Sequence, residues 1–402
     1  MTSAASLNWR HLQALAAIAG HRSMSAAAEA VSLSQPALTQ GLAKLERQVG
    51  VRLFERGPAG VVALEPGLLL AERGRAAAGH LAGAANALAR GANRGFARPE
   101  QLMTTTQLHA YLALADAGSF VAAGAATGLS QPALHRAVRD LEQILGAPLT
   151  ERRGRGLVLT TGGRRLARGV RLAIGEIDAG IADLAPDEAC GRIVVGAMPL
   201  SRALVLPHAI AALVREVPGV MIDVVEGSWR ELVEPLQDGV IDLMIGALRS
   251  EETAGLVQRA LLEDRLAVLG RAGHPLAGKA APSLDDYARF GWIVGQAGTP
   301  LREQMAALFV GRDLPPTPIE CGSVMVIRGV LQDSDLLTLL SPDQVRLEMA
   351  AGVLAQIGPP LAKGMRTIGV STRAGWRPTR AQQRFVELID EAVSANIIPE
   401  TE

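Results

Sequence analysis

Two clusters of hydrogen-bonding side chains in the N-terminal half of the chain share one pattern. Residues 34–38 read Ser-Gln-Pro-Ala-Leu, and residues 130–134 repeat this segment 96 positions later. Hydroxyl and amide groups at the beginning of a helix can bond to base edges in the DNA major groove, and the free backbone N–H groups there attract phosphate. An arginine follows each cluster at the same distance, at positions 56 and 152. The pattern therefore predicts a DNA-reading surface that occurs twice.

The residues predicted to contact DNA are the exposed positions of the helix that each cluster begins, together with the basic residues that follow it. In the first copy they are Ser34, Gln35, Pro36, Thr39, Gln40, Lys44 and Arg56. In the second copy they are Ser130, Gln131, Pro132, His135, Arg136, Arg139, Arg152, Arg153 and Arg155. An alanine-rich helical pair with a solvated polar face is the alternative for a single copy, and the repetition argues against it.

The elements that must hold these side chains also repeat. The same offset pairs Leu12 with Leu108 and Gly50 with Gly146. In the first copy Ser25 is predicted to cap a short helix over 26–30, and Ser34 to cap a longer helix that stops at Gly50. Alternating apolar residues on both sides of 57–60 predict a β-hairpin, the wing. We therefore predict two winged helix-turn-helix domains from an internal duplication.

Three segments of the first copy strongly resemble the LysR-type transcriptional regulators. They are residues 25–30 (Ser-Ala-Ala-Ala-Glu-Ala), 33–38 (Leu-Ser-Gln-Pro-Ala-Leu) and 45–56 (Leu-Glu-Arg-Gln-Val-Gly-Val-Arg-Leu-Phe-Glu-Arg). The resemblance implies an N-terminal DNA-binding domain, a linker helix that pairs two subunits and a C-terminal domain that binds a small effector. That family normally carries one helix-turn-helix unit, and this chain departs from it by carrying two.

Composition and charge agree with a nucleic-acid module joined to a different domain. Residues 1–186 hold 20 Lys and Arg against 13 Asp and Glu, and the remaining residues hold 20 against 27. The two cysteines, Cys190 and Cys321, are too few for a disulfide framework and are predicted to be reduced structural thiols. No signal peptide or membrane span is predicted, so the expected location is the cytoplasm.

Each helix-turn-helix unit is followed by a long stretch rich in alanine, leucine and arginine. In the second, apolar residues recur at helical spacing from Leu166 to Leu184. A stripe of this kind needs a partner helix. The resemblance implies that this helix pairs two subunits, while the small residues of the stretch after the first unit also allow close helix contact.

From Cys190 onward the pattern changes to strands that alternate with helices, which predicts parallel β-sheet. Predicted strands cover 192–197, 220–225 and 241–247, with helices over 207–217 and 229–237 between them. The segment 367–370 is a predicted closing strand. This part resembles the LysR effector domain, two α/β lobes like a periplasmic binding protein. Ligands of such sheets bind at the carboxyl ends of the strands. The predicted effector contacts are Leu200, Ser201, Arg202, Ser228, Thr299 and Ser323.

The fold class predicted is multidomain: two helix-rich winged helix-turn-helix domains with linker helices, and a C-terminal α/β two-lobed domain. The expected boundaries are 7–66 for the first winged domain, 67–99 for its linker helix and linker, 103–161 for the second winged domain, 162–186 for a linker or dimerisation helix and 190–395 for the effector domain.

The predicted function is regulation of transcription by sequence-specific DNA binding, controlled by a small anionic metabolite. The predicted partners are double-stranded DNA, the effector, further copies of the chain in a homodimer or homotetramer, and RNA polymerase, with no membrane, cofactor or metal. A small-molecule binding protein whose helical units bind other proteins is the alternative. An enzyme is disfavoured because the sequence offers no nucleophile–base pair.

Overall fold

The computed structural model describes residues 4–21, 24–31, 33–57, 60–89, 96, 98–154, 156–184, 191–198, 205–249, 251–361 and 364–397. The chain divides into two compact units. The N-terminal unit comprises 1–191 with the short segments 238–240 and 378–380, and the C-terminal unit comprises 192–237, 241–377 and 381–402.

The N-terminal unit contains the same series of elements twice. The first copy consists of a 3-10 turn Ala4–Ser6, α1 (Trp9–His21), α2 (Met24–Ala30), α3 (Gln35–Val49), β1 (Phe54–Gly57), β2 (Gly60–Ala63) and the long helix α4 (Glu65–Ala89). The second copy consists of a 3-10 turn Pro99–Gln101, α5 (Thr105–Ala117), α6 (Phe120–Thr127), α7 (Gln131–Leu145), β3 (Thr150–Arg153), β4 (Gly156–Leu159) and the long helix α8 (Thr161–Leu184). Both strand pairs are antiparallel hairpins.

The ends of α3 and α7 follow from local sequence signals. The Ser34 hydroxyl accepts the Ala37 N–H at 3.3 Å, and the Ser130 hydroxyl accepts the Ala133 N–H at 3.4 Å. Each helix then ends at a glycine in the left-handed region, Gly50 with φ 76° and Gly146 with φ 66°. The cap predicted at Ser25 is wrong, because α2 begins at Met24 and Ser25 lies within the helix.

A repeated carboxylate joins each of these helices to its wing. Glu46 Oε1 accepts the N–H groups of Leu53 and Phe54 at 2.8 and 3.2 Å. Glu142 Oε1 accepts the N–H groups of Leu149 and Thr150 at 2.8 and 3.3 Å. The wing strands therefore begin at the same place relative to the third helix in both copies.

The two long helices pack against each other within the chain. The apolar stripe of α8 is buried at Leu166, Val170, Ala173 and Ile177, and α4 covers it. The stripe that was expected to face a second subunit is thus covered by α4 of the same chain. Pairing of two subunits through the helix over 162–186 stays a prediction. The stripe required a partner helix, and the duplication provides one in the same chain.

The described residues of the C-terminal unit form two mixed five-stranded sheets. Its strands are β5 (Arg192–Ala197), β6 (Met221–Glu226), β7 (Leu243–Ala247), β8 (Leu256–Arg265), β9 (Ala267–Arg271), β10 (Trp292–Val294), β11 (Ile319–Glu320), β12 (Leu337–Leu340), β13 (Leu354–Gln356) and β14 (Met365–Arg373). Its helices are α9 (Val205–Glu216), α10 (Trp229–Gln237), α11 (Leu284–Ala288), α12 (Pro300–Leu308), α13 (Val324–Gln332), α14 (Arg346–Ala350) and α15 (Arg380–Ile397).

In each sheet three parallel strands are followed on one side by one antiparallel strand, and an edge strand pairs antiparallel with that one. The first sheet has the order β6-β5-β7-β14-β8, and the second has the order β11-β10-β12-β9-β13. The strands β5, β6 and β7 are parallel, as predicted, whereas β14 runs antiparallel to both of its neighbours. The sequence did not predict the strand β8, because only half of its residues are buried or partly buried and its charged residues interrupt the apolar run of a buried strand.

Candidate nucleic-acid interface and effector cleft

Six of the seven residues that the first copy is predicted to use for DNA contact lie on α3 or at its N-cap. Ser34, Gln35, Pro36, Gln40 and Lys44 are exposed. The side chain of Gln35 accepts a hydrogen bond from the Ser25 hydroxyl at 3.3 Å, which holds the amide at the helix end. The half-buried Thr39 donates its hydroxyl to the Gln35 carbonyl at 2.9 Å. The hydroxyl proton of Thr39 is therefore used within the helix, and its oxygen can act only as an acceptor.

The second copy presents a more basic surface at the equivalent place. Gln131, Pro132, Arg136 and Arg139 are exposed along α7, next to the capping residue Ser130. No carboxylate in the described part of the chain forms an ion pair with either arginine. Their guanidinium groups are free to bind phosphate or guanine.

His135 is held by an aromatic ring that sequence reasoning missed. Its imidazole stacks on Phe120 with ring centroids 3.7 Å apart and an interplanar angle of 24°. Phe120 is the first residue of α6, directly after the capping residue Ser119. An aromatic residue at the beginning of the second helix was the available signal. In the first copy the equivalent residues are Met24 and Thr39, so this stacking belongs to the second copy alone.

The two wings differ in what the structure shows of their arginines. Arg152 and Arg153 lie on β3 and are exposed. Arg56 lies on β1, but its side chain is outside the described residues, as is the whole of Arg155. The second wing thus adds two exposed cations to the basic face of α7.

Half of the predicted effector residues fall outside the described residues, namely Leu200, Ser201 and Arg202. The other three occupy helix-starting turns, as expected, but two of their hydroxyl protons are already used. Ser228 donates its hydroxyl and its N–H to Glu231 Oε2, both at 2.7 Å, and these bonds lower the pKa of the Glu231 carboxyl. Thr299 donates its hydroxyl to the Gln296 carbonyl at 2.7 Å. Ser323 caps α13 as an acceptor from the Val326 N–H at 3.5 Å, which leaves its own proton available.

The turns that carry these three residues lie near one another. A Cβ added at Gly298 would be 3.4 Å from Nη1 of Arg230, so the turn before α12 meets the beginning of α10. The Ala297 N–H donates to Glu320 Oε1 at 3.2 Å, which joins the same turn to the end of β11, just before Ser323. The structure therefore brings the Ser228, Thr299 and Ser323 turns to one region between the two sheets.

Arg249 is a cationic residue of this region that the predicted effector contacts omitted. Its guanidinium carbon lies 5.3 Å from the centroid of the Trp229 ring, and Gln258 binds both its N–H and its carbonyl, at 2.9 and 3.3 Å. Its Nε is buried without a hydrogen-bond partner, and no carboxylate among the described residues pairs with it. Arg249 follows β7 and Trp229 follows β6, so both lie at the carboxyl ends of parallel strands.

The described residues contain no cluster of three His, Cys, Asp or Glu side chains that could hold a metal ion. Among the helices that the structure describes, none is long and apolar enough to cross a membrane. Cys321 is a free thiol whose sulfur accepts the Ser323 N–H at 3.4 Å, and Cys190 lies outside the described residues.

Comparison with known proteins identifies the family. A profile described as "LysR substrate binding domain" matches residues 186–394, which is about half of the chain. A second, described as "Bacterial regulatory helix-turn-helix protein, lysR family", matches twice, at residues 9–67 and 105–164. The chain therefore belongs to the LysR family of DNA-binding transcriptional regulators, which are not enzymes, and carries their C-terminal effector-binding domain.

Two curated relatives differ in how much of the chain they cover. The HTH-type transcriptional regulator GalR of Pseudomonas putida is 30% identical over 392 residues, which cover 96% of this chain and 98% of GalR. The HTH-type transcriptional regulator PcaQ of Agrobacterium fabrum is 25% identical and covers 73% of this chain and 96% of PcaQ. GalR thus matches this chain over nearly its whole length, whereas PcaQ matches about three quarters of it.

Solved structures show the same fold. ArgP of Mycobacterium tuberculosis superposes with a TM-score of 0.59 at 16% identity and covers 72% of this chain and 96% of its own. A full-length OxyR variant of Pseudomonas aeruginosa gives a TM-score of 0.57 at 24% identity, over 72% of this chain and 94% of its own.

Proposed function

We propose that both helix-turn-helix units of this regulator contact DNA through the beginnings of α3 and α7 and through their wings. We further propose that the C-terminal domain binds a small anion and that the protein acts in the cytoplasm. We also propose the domain boundaries given by the sequence, assembly of the chain into a homodimer or homotetramer, and contact with RNA polymerase.

The observation that supports two DNA contacts is the shared exposure of the two helix beginnings. Gln35 and Gln131 are equivalent, exposed and next to a serine cap in both copies. Buried core positions of the two helices also correspond, at Leu38 and Leu134 and at Leu45 and Leu141. The packed face of each helix is therefore fixed, and the polar face is left to solvent in both.

The salt dependence of binding tests the contribution of the second wing. Each phosphate contact adds about 0.9 to the slope of log affinity against log salt concentration. We expect Arg152→Ala with Arg153→Ala to lower this slope by about one to two. The matched control is Arg215→Ala, an exposed arginine of the C-terminal unit, which should leave the slope unchanged. The proposed wing contact is wrong if the double variant keeps the wild-type slope.

Arg249 supports an anionic effector. A buried guanidinium nitrogen without a partner is costly, and a bound carboxylate would satisfy it. Trp229 beneath it provides an apolar and aromatic surface for the remainder of a small ligand. Ser323, with a free hydroxyl proton, is the predicted second contact.

A panel of small aromatic and aliphatic carboxylates, each with its neutral amide, tests this site by calorimetry on the full chain. We expect a carboxylate to bind and its amide to bind at least tenfold more weakly, because a hydrogen bond to a charged group contributes roughly 1.5–3 kcal/mol. Arg249→Gln should remove this preference. Arg312→Gln is the control, because Arg312 pairs with Asp285. Equal binding of acid and amide to the wild type would contradict the proposal.

A further inference from the structure

We infer that one chain carries both reading heads of a single operator, related by an internal two-fold rotation, and that it fits an inverted repeat with two unlike half-sites. The reading heads are α3 with its wing and α7 with its wing. The inference rests on the proposed DNA contacts of both units and adds the geometry that relates them.

The long helices α4 and α8 run antiparallel in close contact. A Cβ added at Gly180 would lie 3.0 Å from Leu70 Cδ1 and 3.3 Å from Arg73 Cβ. A Cβ added at Gly169 would lie 2.5 Å from the Cβ of Ala84. Residue numbers therefore rise along α4 as they fall along α8, so the chain itself forms an antiparallel helix pair.

The contacts obey the symmetry of the duplication. A shift of 96 residues turns Arg73 into Gly169 and Ala84 into Gly180. If each residue is replaced by its equivalent in the other copy, the contact between Arg73 and Gly180 becomes the contact between Gly169 and Ala84. Both contacts are present. Such an exchange requires that a rotation, and not a simple translation, relates the two copies.

Two pairs of equivalent residues touch each other directly, which locates the axis. His80 and Glu176 are equivalent, and Nε2 of one lies 3.9 Å from Oε1 of the other. Trp9 and Thr105 are also equivalent, and the Trp9 N–H donates to Thr105 Oγ1 at 2.9 Å. A residue meets its own equivalent only near a two-fold axis, so the axis passes between α4 and α8 and between the beginnings of α1 and α5.

A two-fold rotation is the relation between the halves of an inverted DNA repeat. The rotation that superposes the two copies also superposes α3 on α7, so the two helices are related to each other by the same two-fold axis. Both helix beginnings are exposed, and the helix pair holds them within one compact unit. A single chain thus presents its two reading heads in the arrangement that two chains with one head each would need a dimer to form.

The two heads differ chemically at the positions that would face bases. Thr39 and Gln40 of the first correspond to His135 and Arg136 of the second. Glutamine pairs best with adenine through N6 and N7, whereas arginine pairs best with guanine through O6 and N7. The preferred site should therefore carry adenine in one half where the other half carries guanine. An imperfect repeat of this kind also fixes the direction in which the chain lies on the duplex.

Selection of full-length protein on duplexes with a randomised core tests the inference. The wild type should select two inverted half-sites of unlike sequence. Gln40→Arg should change the preferred base in one half only, and Arg136→Gln should change the symmetric position in the other half only. In competition, each variant should lose roughly tenfold to a hundredfold of its discrimination at that base. Gln143→Ala, exposed near the end of α7, is the control and should leave both halves unchanged.

Several results would overturn the inference. A wild-type site with two identical halves, in which Arg136→Gln changes both, would mean that the second units of two chains read DNA together. A change in the second half alone, with Gln40→Arg silent, would mean that the first unit is not a reader, which would remove the proposed DNA contact of that unit together with the inference. Two unlike half-sites in direct orientation would keep both proposed contacts and overturn only the two-fold geometry. Failure of the wild type to select any sequence would instead remove the proposed function itself.

Discussion

At positions 46 and 142 a glutamate performs the same structural task in both copies. Each carboxylate accepts two backbone N–H groups at the start of the wing strand. The sequence shows that a Leu-Glu pair is repeated at these positions. It does not show that the glutamate side chain turns toward the wing and accepts the N–H groups there. The exposed Arg152 and Arg153 lie on the strand whose beginning Glu142 holds.

We expect Glu142→Ala to destabilise the N-terminal unit by about 1.5–3 kcal/mol, because two backbone donors lose a charged acceptor. Gln143→Ala, the exposed neighbour, should change stability by less than about 0.5 kcal/mol. Chemical unfolding followed by helical circular dichroism measures both. Equal effects of the two substitutions would show that the carboxylate is not what holds the wing.

His274 in the C-terminal unit is buried as a neutral ring. Its Nδ1 accepts the Leu276 N–H at 3.1 Å, and its Nε2 lies 3.2 Å from the Asp335 carbonyl oxygen. Burial lowers the pKa of His274 below the ordinary value of 6.5, against the opposing effect of the Asp335 carbonyl. The unfolded chain therefore binds a proton more readily than the folded chain when the pH falls through 6.5.

The stability that His274 provides should be complete above pH 7 and decrease as the pH falls below 6.5. At pH 7.5 His274→Gln should destabilise the C-terminal unit by about 1–3 kcal/mol, and this difference should shrink at pH 5.5. Fluorescence is a suitable measure, since Trp229, Trp292 and Trp376 all lie in this unit. A difference that stays constant or grows on acidification would contradict the neutral ring.

Among the elements, the pair of α4 and α8 depends on small residues where the helices are closest. Gly169 lies against the Ala84 side chain and the His80 carbonyl, and Gly180 lies against Leu70 and Arg73. By contrast, a Cβ added at Gly175 on the same helix would meet nothing within 4 Å. The three glycines look alike in sequence and differ only in what α4 places beside them.

Gly169→Ala should destabilise the N-terminal unit by about 1–3 kcal/mol, because the new methyl group forces the helices apart. Gly175→Ala should be neutral or should stabilise by about 0.5–1 kcal/mol, since alanine favours a helix and space is free. Thermal unfolding of both variants measures the contrast. A stabilising effect at position 169 would contradict the close helix pair.

At the scale of the whole molecule, the chain consists of two compact units with separate cores. The core that includes Leu15, Leu45, Leu141 and Ile177 is confined to the N-terminal unit and covers both copies. The cores of the C-terminal unit, around Ile193 and around Trp292, share no residue with it. Substitutions in the two units should therefore act independently.

Gly169→Ala and His274→Gln should accordingly lower two different transitions in a calorimetric scan. In the double variant the two losses should add to within about 0.5 kcal/mol, because the two sites lie in different units and share no partners. One transition that moves with either substitution would contradict two independent units.

The sequence by itself determined the features that depend on neighbouring residues. Serine caps, terminal glycines and the register between copies are local signals, and they were sufficient to predict α3, α7, both hairpins and the LysR family. The sequence also showed that α8 has an apolar stripe that must be covered. It could not show what covers it, because any complementary helix removes the same surface from water.

Only the tertiary structure decided that α4 of the same chain covers the stripe of α8. The contacts of this helix pair also show that a rotation relates the two reading heads. In the same way, hydroxyl residues on strand-to-helix turns predicted an effector region, but their partners determine which donors remain free. Ser228 and Thr299 donate within their own turns, whereas Arg249 has a buried nitrogen left unbonded. Such assignments depend on distances between segments remote in sequence, and no local pattern encodes those distances.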